Sequence, residues 1–142
     1  MAAAEVKTVR VVAALIPDPH DPSRFLVQQR LPTGSRANLW EFPGGKVELG
    51  ETDQAALARE CQEELDVQLT VGKHLWRVAH EYADLIVELE LYAGTIGLGT
   101  TPKPLGAQAL RFCTPAQMQA LPFCEADIPL LEDLALGVIA LS

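Results

Sequence analysis

The amino-acid sequence predicts an α/β protein in which a mixed β-sheet packs between helices. Two features support this class. Segments rich in Val, Ile and Leu, which favour strands, lie on both sides of one amphipathic helical segment, and two further helix starts lie near the C-terminus. Of the 142 residues, 49% are hydrophobic and 21% are charged, an ordinary globular composition. We therefore expect residues 1–142 to form a single domain large enough to bury a core.

The first predicted strands precede the helical segment. Residues 6–16 are rich in Val, Ala and Ile and predict a buried strand that ends at a proline-rich loop, residues 17–22. Residues 25–30 predict its partner strand, residues 31–38 a loop, and residues 40–42 a short apolar segment. The backbone is then expected to turn at Pro43, Gly44 and Gly45.

The remaining elements follow that turn. Thr52 is predicted to cap a helix that runs to about Leu65, because its hydroxyl can accept a hydrogen bond from a free amide of the first turn. Strands are predicted at residues 67–71, 75–80, 84–95 and 109–113, and the glycines and prolines between 94 and 104 indicate a mobile connection. Thr114 starts a short predicted helix, and Asp127 starts the terminal one.

Charge and cysteine content indicate which binding partners and which cellular location the sequence favours. The net charge of −8 disfavours duplex nucleic acid, because the sequence has no basic stripe to overcome phosphate repulsion. The three cysteines are widely spaced without a CxxC pair, which argues against a disulfide framework or a zinc site and favours a cytoplasmic location. The sequence has neither an N-terminal signal segment nor an apolar run of about 20 residues, so we expect no membrane association.

Three carboxylates of the predicted helix share one face. Glu60, Glu63 and Glu64 stand at helical positions i, i+3 and i+4, where like charges repel unless a hard cation binds between them. Ala58, Cys61 and Leu65 form the apolar face expected to dock on the sheet. The pattern indicates a Mg²⁺ site, with Mn²⁺ as an alternative, although a solvated acidic helix face has the same pattern.

The spacing of these residues behind the glycine turn resembles the Nudix box, G-x5-E-x7-R-E-U-x-E-E-x-G-U. Six fixed positions agree in type and separation: Gly45, Glu51, Arg59, Glu60, Glu63 and Glu64. Two positions depart from the pattern, Asp66 in place of glycine and Cys61 in place of a bulky aliphatic residue, and neither removes a candidate ligand.

The resemblance implies an α/β/α sandwich and a division of roles within the box. Glu60, Glu63 and Glu64, with the carbonyl of Gly44 or Gly45, are expected to bind the metal that bridges the substrate's phosphates. The expected catalytic residues are Glu60, Glu63, Glu64 and Arg59. Arg59 would orient the carboxylates, and Glu51 would support the loop. Lys46 and Arg30 are the expected phosphate contacts.

Outside the box, residues 25–46 resemble the MutT-like branch, which includes 8-oxo-dGTP diphosphatases and CTP pyrophosphohydrolases and converts nucleoside triphosphates to monophosphate and pyrophosphate. Asp127 aligns with the base-recognition position of this branch and, when ionised, would only accept hydrogen bonds, as from an exocyclic amino group. Capping of the terminal helix is the alternative role for Asp127. Phe42 and Phe123 are expected to stack on the base or to pack in the core.

Relatives often carry a glutamate in the loop where this chain has Gly106 and Ala107. The general base would then come from the helix carboxylates or from Glu81, Glu88 or Glu125. The expected substrate is a small nucleotide, either an oxidised or modified dNTP or a cytosine nucleotide, acted on by a monomer or homodimer. The alternatives are another nucleoside diphosphate-X compound, such as ADP-ribose or a dinucleotide polyphosphate, and a catalytically lapsed nucleotide-binding domain.

Overall fold

The computed structural model describes residues 6–139. In chain order, the elements are β1 (Lys7–Leu15), β2 (Pro17–Asp18), β3 (Asp21–Gln29), β4 (Trp40–Glu41), β5 (Gly44–Lys46), α1 (Asp53–Leu65), β6 (Thr70–Glu81), β7 (Leu85–Thr95), β8 (Ala109–Cys113), α2 (Pro115–Gln119), a 3₁₀ turn (Glu125–Asp127) and α3 (Ile128–Ala135). In this part of the chain, no helix has the length and apolar character needed to cross a membrane.

The strands form two four-stranded sheets. The first has the order β5-β1-β7-β6 and is mixed, because β1 and β7 run parallel while the other pairs are antiparallel. In the second sheet, β3 pairs with β2, β4 and β8, always antiparallel. The predicted α/β class with a mixed sheet is thus confirmed, and the strands are divided over two sheets.

Alternation along β1 sends side chains into two separate cores, as the period of two in a strand requires. Val12 and Ala14 pack in the core that contains Leu57 of α1. Ala13 and Leu15 pack in the other core, which contains Leu130 and other apolar residues of α3. Helices therefore cover both sides of the β-layer, in the predicted sandwich arrangement.

Helix α1 follows the predicted bounds. The Thr52 side chain accepts a hydrogen bond from the Ala55 amide at 3.1 Å. At the other end, Asp66 adopts the left-handed conformation with φ 53°. The buried residues of the helix are Ala56, Leu57, Cys61 and Leu65. The prediction that Ala58 helps form the docking face was wrong, because Ala58 is only half-buried while Leu57 is fully buried.

The prediction of two strands at 67–71 and 75–80 was also wrong. A single strand, β6, runs from Thr70 to Glu81, and its pairing with β7 shifts register between Val71 and His74 and again between His74 and Trp76. These irregularities accommodate the polar Gly-Lys-His sequence without ending the strand. Val67 and Leu69 are buried next to α1 but precede the strand.

Candidate active site

The glycine turn brings the backbone against α1. Gly44 and Gly45 belong to β5, which pairs with β1. A Cβ atom on Gly45 would overlap the carboxyl group of Glu60, and one on Gly44 would overlap the carbonyl oxygen of Val12. The two glycines thus have different reasons for lacking a side chain. Gly45 gives room to an acidic side chain, whereas Gly44 lies tightly against the backbone of a neighbouring strand.

Arg59 organises the acidic residues around this turn. Its Nε donates to Oε2 of Glu51 at 2.6 Å, and its Nη2 donates to Oε1 of the same carboxylate at 2.9 Å. Nη2 also donates to the carbonyl oxygen of Lys46 at 3.1 Å, and Nη1 donates to Oε1 of Glu60 at 3.0 Å. The contact with Arg59 lowers the pKa of Glu51 to about 2. One guanidinium group therefore links α1 to the loop that precedes it.

The three helix carboxylates lie in different environments. The side chain of Glu63 is 59% exposed, whereas that of Glu60 is 13% exposed. Burial, followed by repulsion from Glu60 and Glu41, raises the pKa of Glu64 to about 7. Burial also raises the pKa of Glu60. Burial thus disfavours the ionised form of both carboxyls, and a bound cation would offset that cost.

The oxygen atoms around the glycine turn are of the type that binds a hard divalent cation, although the carboxylates do not converge on one point in this structure. Between residues 6 and 139, no three His, Cys, Asp or Glu side chains form a group that could hold a metal. Glu63 points towards Arg59, with its Oε2 3.4 Å from Nη1, and is largely solvated. The carboxylates of Glu60 and Glu64 and the carbonyls of Gly44 and Gly45 are all oxygen donors, the type that Mg²⁺ prefers. The absent side chain of Gly45 leaves the space that the Glu60 carboxyl fills.

One cleft of about 790 Å³ joins the acidic helix to the C-terminal 3₁₀ turn. Eight of the predicted site residues line it: Arg30, Phe42, Gly44, Gly45, Lys46, Glu60, Glu64 and Asp127. Glu51, Arg59 and Glu63 do not line the cleft. Phe123 does not line it either, because this buried ring packs against Phe42 with the ring centroids 5.7 Å apart. The structure therefore places Phe123 in the core, and the prediction that it contacts the base was wrong.

Asp127 lies in the wall of the cleft and is only 6% exposed. It precedes α3 but makes no capping hydrogen bond through its side chain, so the capping role is not observed. Burial and repulsion from Glu41 raise its pKa to about 8, while a hydrogen bond from the Phe42 amide opposes this shift. A carboxyl group that stays protonated near pH 7 can both donate and accept. The expectation that Asp127 only accepts hydrogen bonds applies to its ionised form, and its raised pKa favours the protonated form near pH 7.

Glu41, which lines the cleft, and Gln28 beside it are among the polar residues of this region that were not predicted as site residues. Glu41 accepts hydrogen bonds from Arg30 Nη1 and from Gln28 Nε2, both at 3.0 Å. Gln28 also hydrogen-bonds to Glu64 and is 2% exposed. These residues connect the acidic helix with the region around Asp127. The available sequence signal was a charged residue between two buried aromatic residues, Trp40 and Phe42, directly before the glycine turn.

None of the three candidate general bases outside the helix lines the large cleft. Glu81 and Glu125 line a second, smaller cavity of about 430 Å³, and Glu88 lines neither cavity. A Cβ atom on Gly106 would lie 2.9 Å from Cγ and Cδ of Glu64. The loop at Gly106 thus packs directly against Glu64. Among the predicted general bases, only the helix carboxylates Glu60 and Glu64 line the cleft.

The chain is similar in sequence to a known protein family and to characterised members of it. The profile of the family described as NUDIX domain matches residues 12–133. The chain is 38% identical to the CTP pyrophosphohydrolase of Escherichia coli K12 over 127 residues, which cover 89% of this chain and 91% of that protein. It is 36% identical over 89 residues to an 8-oxo-dGTP diphosphatase of Proteus vulgaris, covering 63% and 78% of the two chains.

The architecture is also found in a solved structure. The crystal structure of the MutT protein from Methanosarcina mazei Go1 superposes with a TM-score of 0.83 at 20% identity, covering 96% of this chain and 99% of that chain. At this identity the similarity establishes the fold alone. The family match at residues 12–133 includes both the acidic helix and Asp127, the two ends of the cleft.

Proposed function

This chain belongs to the Nudix hydrolase family, and from that premise we propose that it is a metal-dependent pyrophosphohydrolase that converts a nucleoside triphosphate to the monophosphate and pyrophosphate. The observation that carries the proposal is the single cleft with Glu60, Glu64 and the glycine turn at one end and Asp127 at the other. Its volume of about 790 Å³ is in the range of small-molecule sites, which span roughly 300–1,000 Å³. A nucleotide could thus place its phosphates at the acidic end and its base near Asp127.

We propose that Glu60, Glu63 and Glu64, with a carbonyl of Gly44 or Gly45, hold Mg²⁺ or Mn²⁺, for which the exposed side chain of Glu63 would turn from Arg59 towards the cleft. The cation would neutralise the phosphates and increase the acidity of a bound water. The role of Arg59 is to fix the direction of the Glu60 carboxyl and to join it to Glu51, as its hydrogen bonds indicate.

The cleft also offers cationic groups for the phosphates. Lys46 lines the cleft beside the glycine turn and is exposed, so its ammonium group can move to meet a phosphate. Arg30 lines it as well, but its guanidinium is paired with Glu41 at 3.0 Å. We therefore assign Lys46 the main phosphate contact and Arg30 a second contact that depends on Glu41.

The preferred substrate is an oxidised or modified dNTP or a cytosine nucleotide, because Asp127 suits a base that carries an amino group. In its protonated form, Asp127 could also donate to a ring nitrogen or a carbonyl oxygen. We further propose that residues 1–142 are one domain, because the family match covers residues 12–133. The three free cysteines suit the cytoplasm as the place of action. We propose a monomer or homodimer as the active form.

The test is a hydrolysis panel with and without Mg²⁺, using 8-oxo-dGTP, dGTP, dCTP, CTP, 5-methyl-dCTP, ADP-ribose and a diadenosine polyphosphate. Release of pyrophosphate from a triphosphate, abolished by a chelator and by Glu64→Gln, supports the proposal. Glu132→Gln, which changes an exposed carboxylate of α3 outside the cleft, serves as the matched control. Cleavage of ADP-ribose or the dinucleotide alone would replace the proposed substrate. Binding of nucleotides without any turnover would indicate a lapsed enzyme.

A further inference from the structure

Arg36 and Tyr82 form a stacked pair at the wall of the cleft. The guanidinium carbon of Arg36 lies 3.9 Å from the centroid of the Tyr82 ring, the distance of a cation–π contact. Both residues line the large cleft and also the smaller cavity of about 430 Å³ next to it. The pair therefore separates the two spaces and presents one side to the substrate cleft.

The pair lies at the Asp127 end of the cleft. The hydroxyl oxygen of Tyr82 accepts a hydrogen bond from the amide of Ala126 at 3.0 Å, which ties the ring to the residue directly before Asp127. The charge of Arg36 also acts on Cys124, another residue that lines this end. Through its contact with Tyr82, Arg36 is thus placed at the end of the cleft proposed for the base.

The loop that carries Arg36 is held in an unusual conformation. Arg36 and Asn38 are not glycines, yet both adopt positive φ angles of 54° and 65°. Two side chains fix this backbone, one directly after β3 and one directly before β8: Arg30 Nε donates to the carbonyl of Ser35 at 3.2 Å, and Gln108 Nε2 donates to Oδ1 of Asn38 at 2.7 Å. Backbone strain that is maintained by surrounding contacts is characteristic of functional sites.

The guanidinium of Arg36 has few hydrogen-bond acceptors around it in the described part of the chain. Its Nε is buried without a hydrogen-bond partner among the described residues. Its one acidic neighbour within ion-pair distance in that part of the chain is Asp84, at 3.8 Å and 70% exposed. Such a long, solvated contact contributes little. Apart from its contacts with Tyr82 and Asp84, the guanidinium has N–H groups that can meet an acceptor entering the cleft.

We propose that Arg36, held against Tyr82, is a specificity-determining residue that donates hydrogen bonds to the carbonyl oxygen of the substrate's base. The inference rests on the proposed function, because it places the base of a nucleoside triphosphate at the Asp127 end. Arginine only donates, so it suits the carbonyl oxygens of cytosine and guanine, whereas adenine has none. Asp127 and Arg36 would then read the amino and the carbonyl group on the same edge of one base.

The test compares kcat and KM for CTP, dGTP and ATP in the wild type, Arg36→Ala, Arg36→Lys and Arg111→Ala. Arg111 is an exposed arginine of β8 that lines neither cavity and provides the matched control. For whichever of CTP and dGTP the wild type prefers, Arg36→Ala should lower kcat/KM about 10- to 100-fold, mainly through KM, as expected for one bidentate base contact. The value for ATP should change less than about threefold, and Arg36→Lys should not restore the selectivity, because an ammonium group lacks the planar donor pair.

Two Tyr82 variants separate stacking from folding. Tyr82→Phe keeps the ring and should keep the selectivity, while Tyr82→Leu should lose it, and thermal melting shows whether each variant is folded. Equal losses for all three triphosphates with rescue by Arg36→Lys would mean that Arg36 contacts phosphates, which overturns the inference. Unchanged selectivity in folded Arg36→Ala would overturn it too.

A binding measurement distinguishes this inference from the proposed function. Calorimetric titration with CMP, GMP and AMP needs no turnover. If the wild type hydrolyses no triphosphate but binds CMP or GMP more tightly than AMP, and Arg36→Ala removes that preference, then the proposed function fails while the base contact stands. If Arg36→Ala leaves the preference intact, or if the wild type shows none, the base contact fails.

Discussion

Arg59 and Glu51 are joined by two parallel hydrogen bonds, 2.6 Å from Nε to Oε2 and 2.9 Å from Nη2 to Oε1. The same guanidinium donates to Glu60 at 3.0 Å. The direction of a carboxyl that faces the cleft is thereby set by a residue eight positions before Arg59, in the preceding loop. Such two-point pairing has a geometric specificity that a lysine cannot reproduce.

Glu51→Gln and Arg59→Lys are each expected to lower kcat by at least about 10-fold, because small displacements of positioning groups are costly in catalysis. Steady-state kinetics at saturating Mg²⁺ measures this. Glu88→Gln, an exposed change on β7 that lines neither cavity, should leave kcat within about twofold. Wild-type kcat in Glu51→Gln would show that the pair does not position Glu60.

Gly45→Ala and Gly44→Ala should separate activity from stability. A Cβ at position 45 meets the movable carboxyl of Glu60, so this variant should fold and lose most of its metal-dependent activity. A Cβ at position 44 meets the backbone of Val12 in β1, so this variant should unfold at a lower temperature. Melting curves and hydrolysis rates of both variants test the distinction. Full activity of Gly45→Ala would contradict it.

Asp127→Asn should stabilise the protein increasingly as the pH rises from about 4 to about 8, and should have no such effect below about pH 4. The folded carboxyl has a pKa raised from 3.8 to about 8, so between these values the unfolded chain has lost a proton that the folded chain keeps. Stability of the wild type therefore falls as pH rises through this interval. Asparagine does not ionise, so the melting temperature of the variant should exceed that of the wild type progressively from pH 4 to pH 9.

The same titration performed on Glu132→Gln, an exposed change on α3, should follow the wild-type curve. A constant difference between Asp127→Asn and the wild type at all pH values would mean that Asp127 does not carry the raised pKa. The experiment is independent of substrate, so it holds whatever base the cleft accepts.

Leu57→Ala should lower the free energy of unfolding by about 2–5 kcal/mol, the range for truncating a fully buried leucine. Leu57 is 0% exposed and anchors α1 to the core that contains Val12 and Ala14. Leu49→Ala changes a leucine that is fully exposed in the loop before α1, so it should cost less than about 0.5 kcal/mol. Urea denaturation of both variants provides the measurement. Equal effects would contradict the assigned packing.

Local sequence patterns were enough to predict the fold class and to recognise the Nudix box. A helix needs only local signals, so Thr52 and Leu65 could be recognised as its ends, and the spacing of Glu60, Glu63 and Glu64 defined a shared face. The same local patterns predicted two strands in place of β6. A polar Gly-Lys-His sequence interrupts the apolar pattern there, whereas pairing with β7 keeps the strand continuous. Strand continuity depends on the neighbouring strand, which local propensity does not include.

Which residues line the cleft, and how their pKa values shift, follows only from the tertiary structure. Phe42 and Phe123 are buried in the same core, yet only Phe42 also lines the cleft. Asp127 has a raised pKa because folding buries it near Glu41, which is 86 residues away in sequence (127 − 41 = 86). Arg36 meets Tyr82 across 46 residues (82 − 36 = 46). Burial and long-range charge are properties of the packed chain, so no local pattern encodes them.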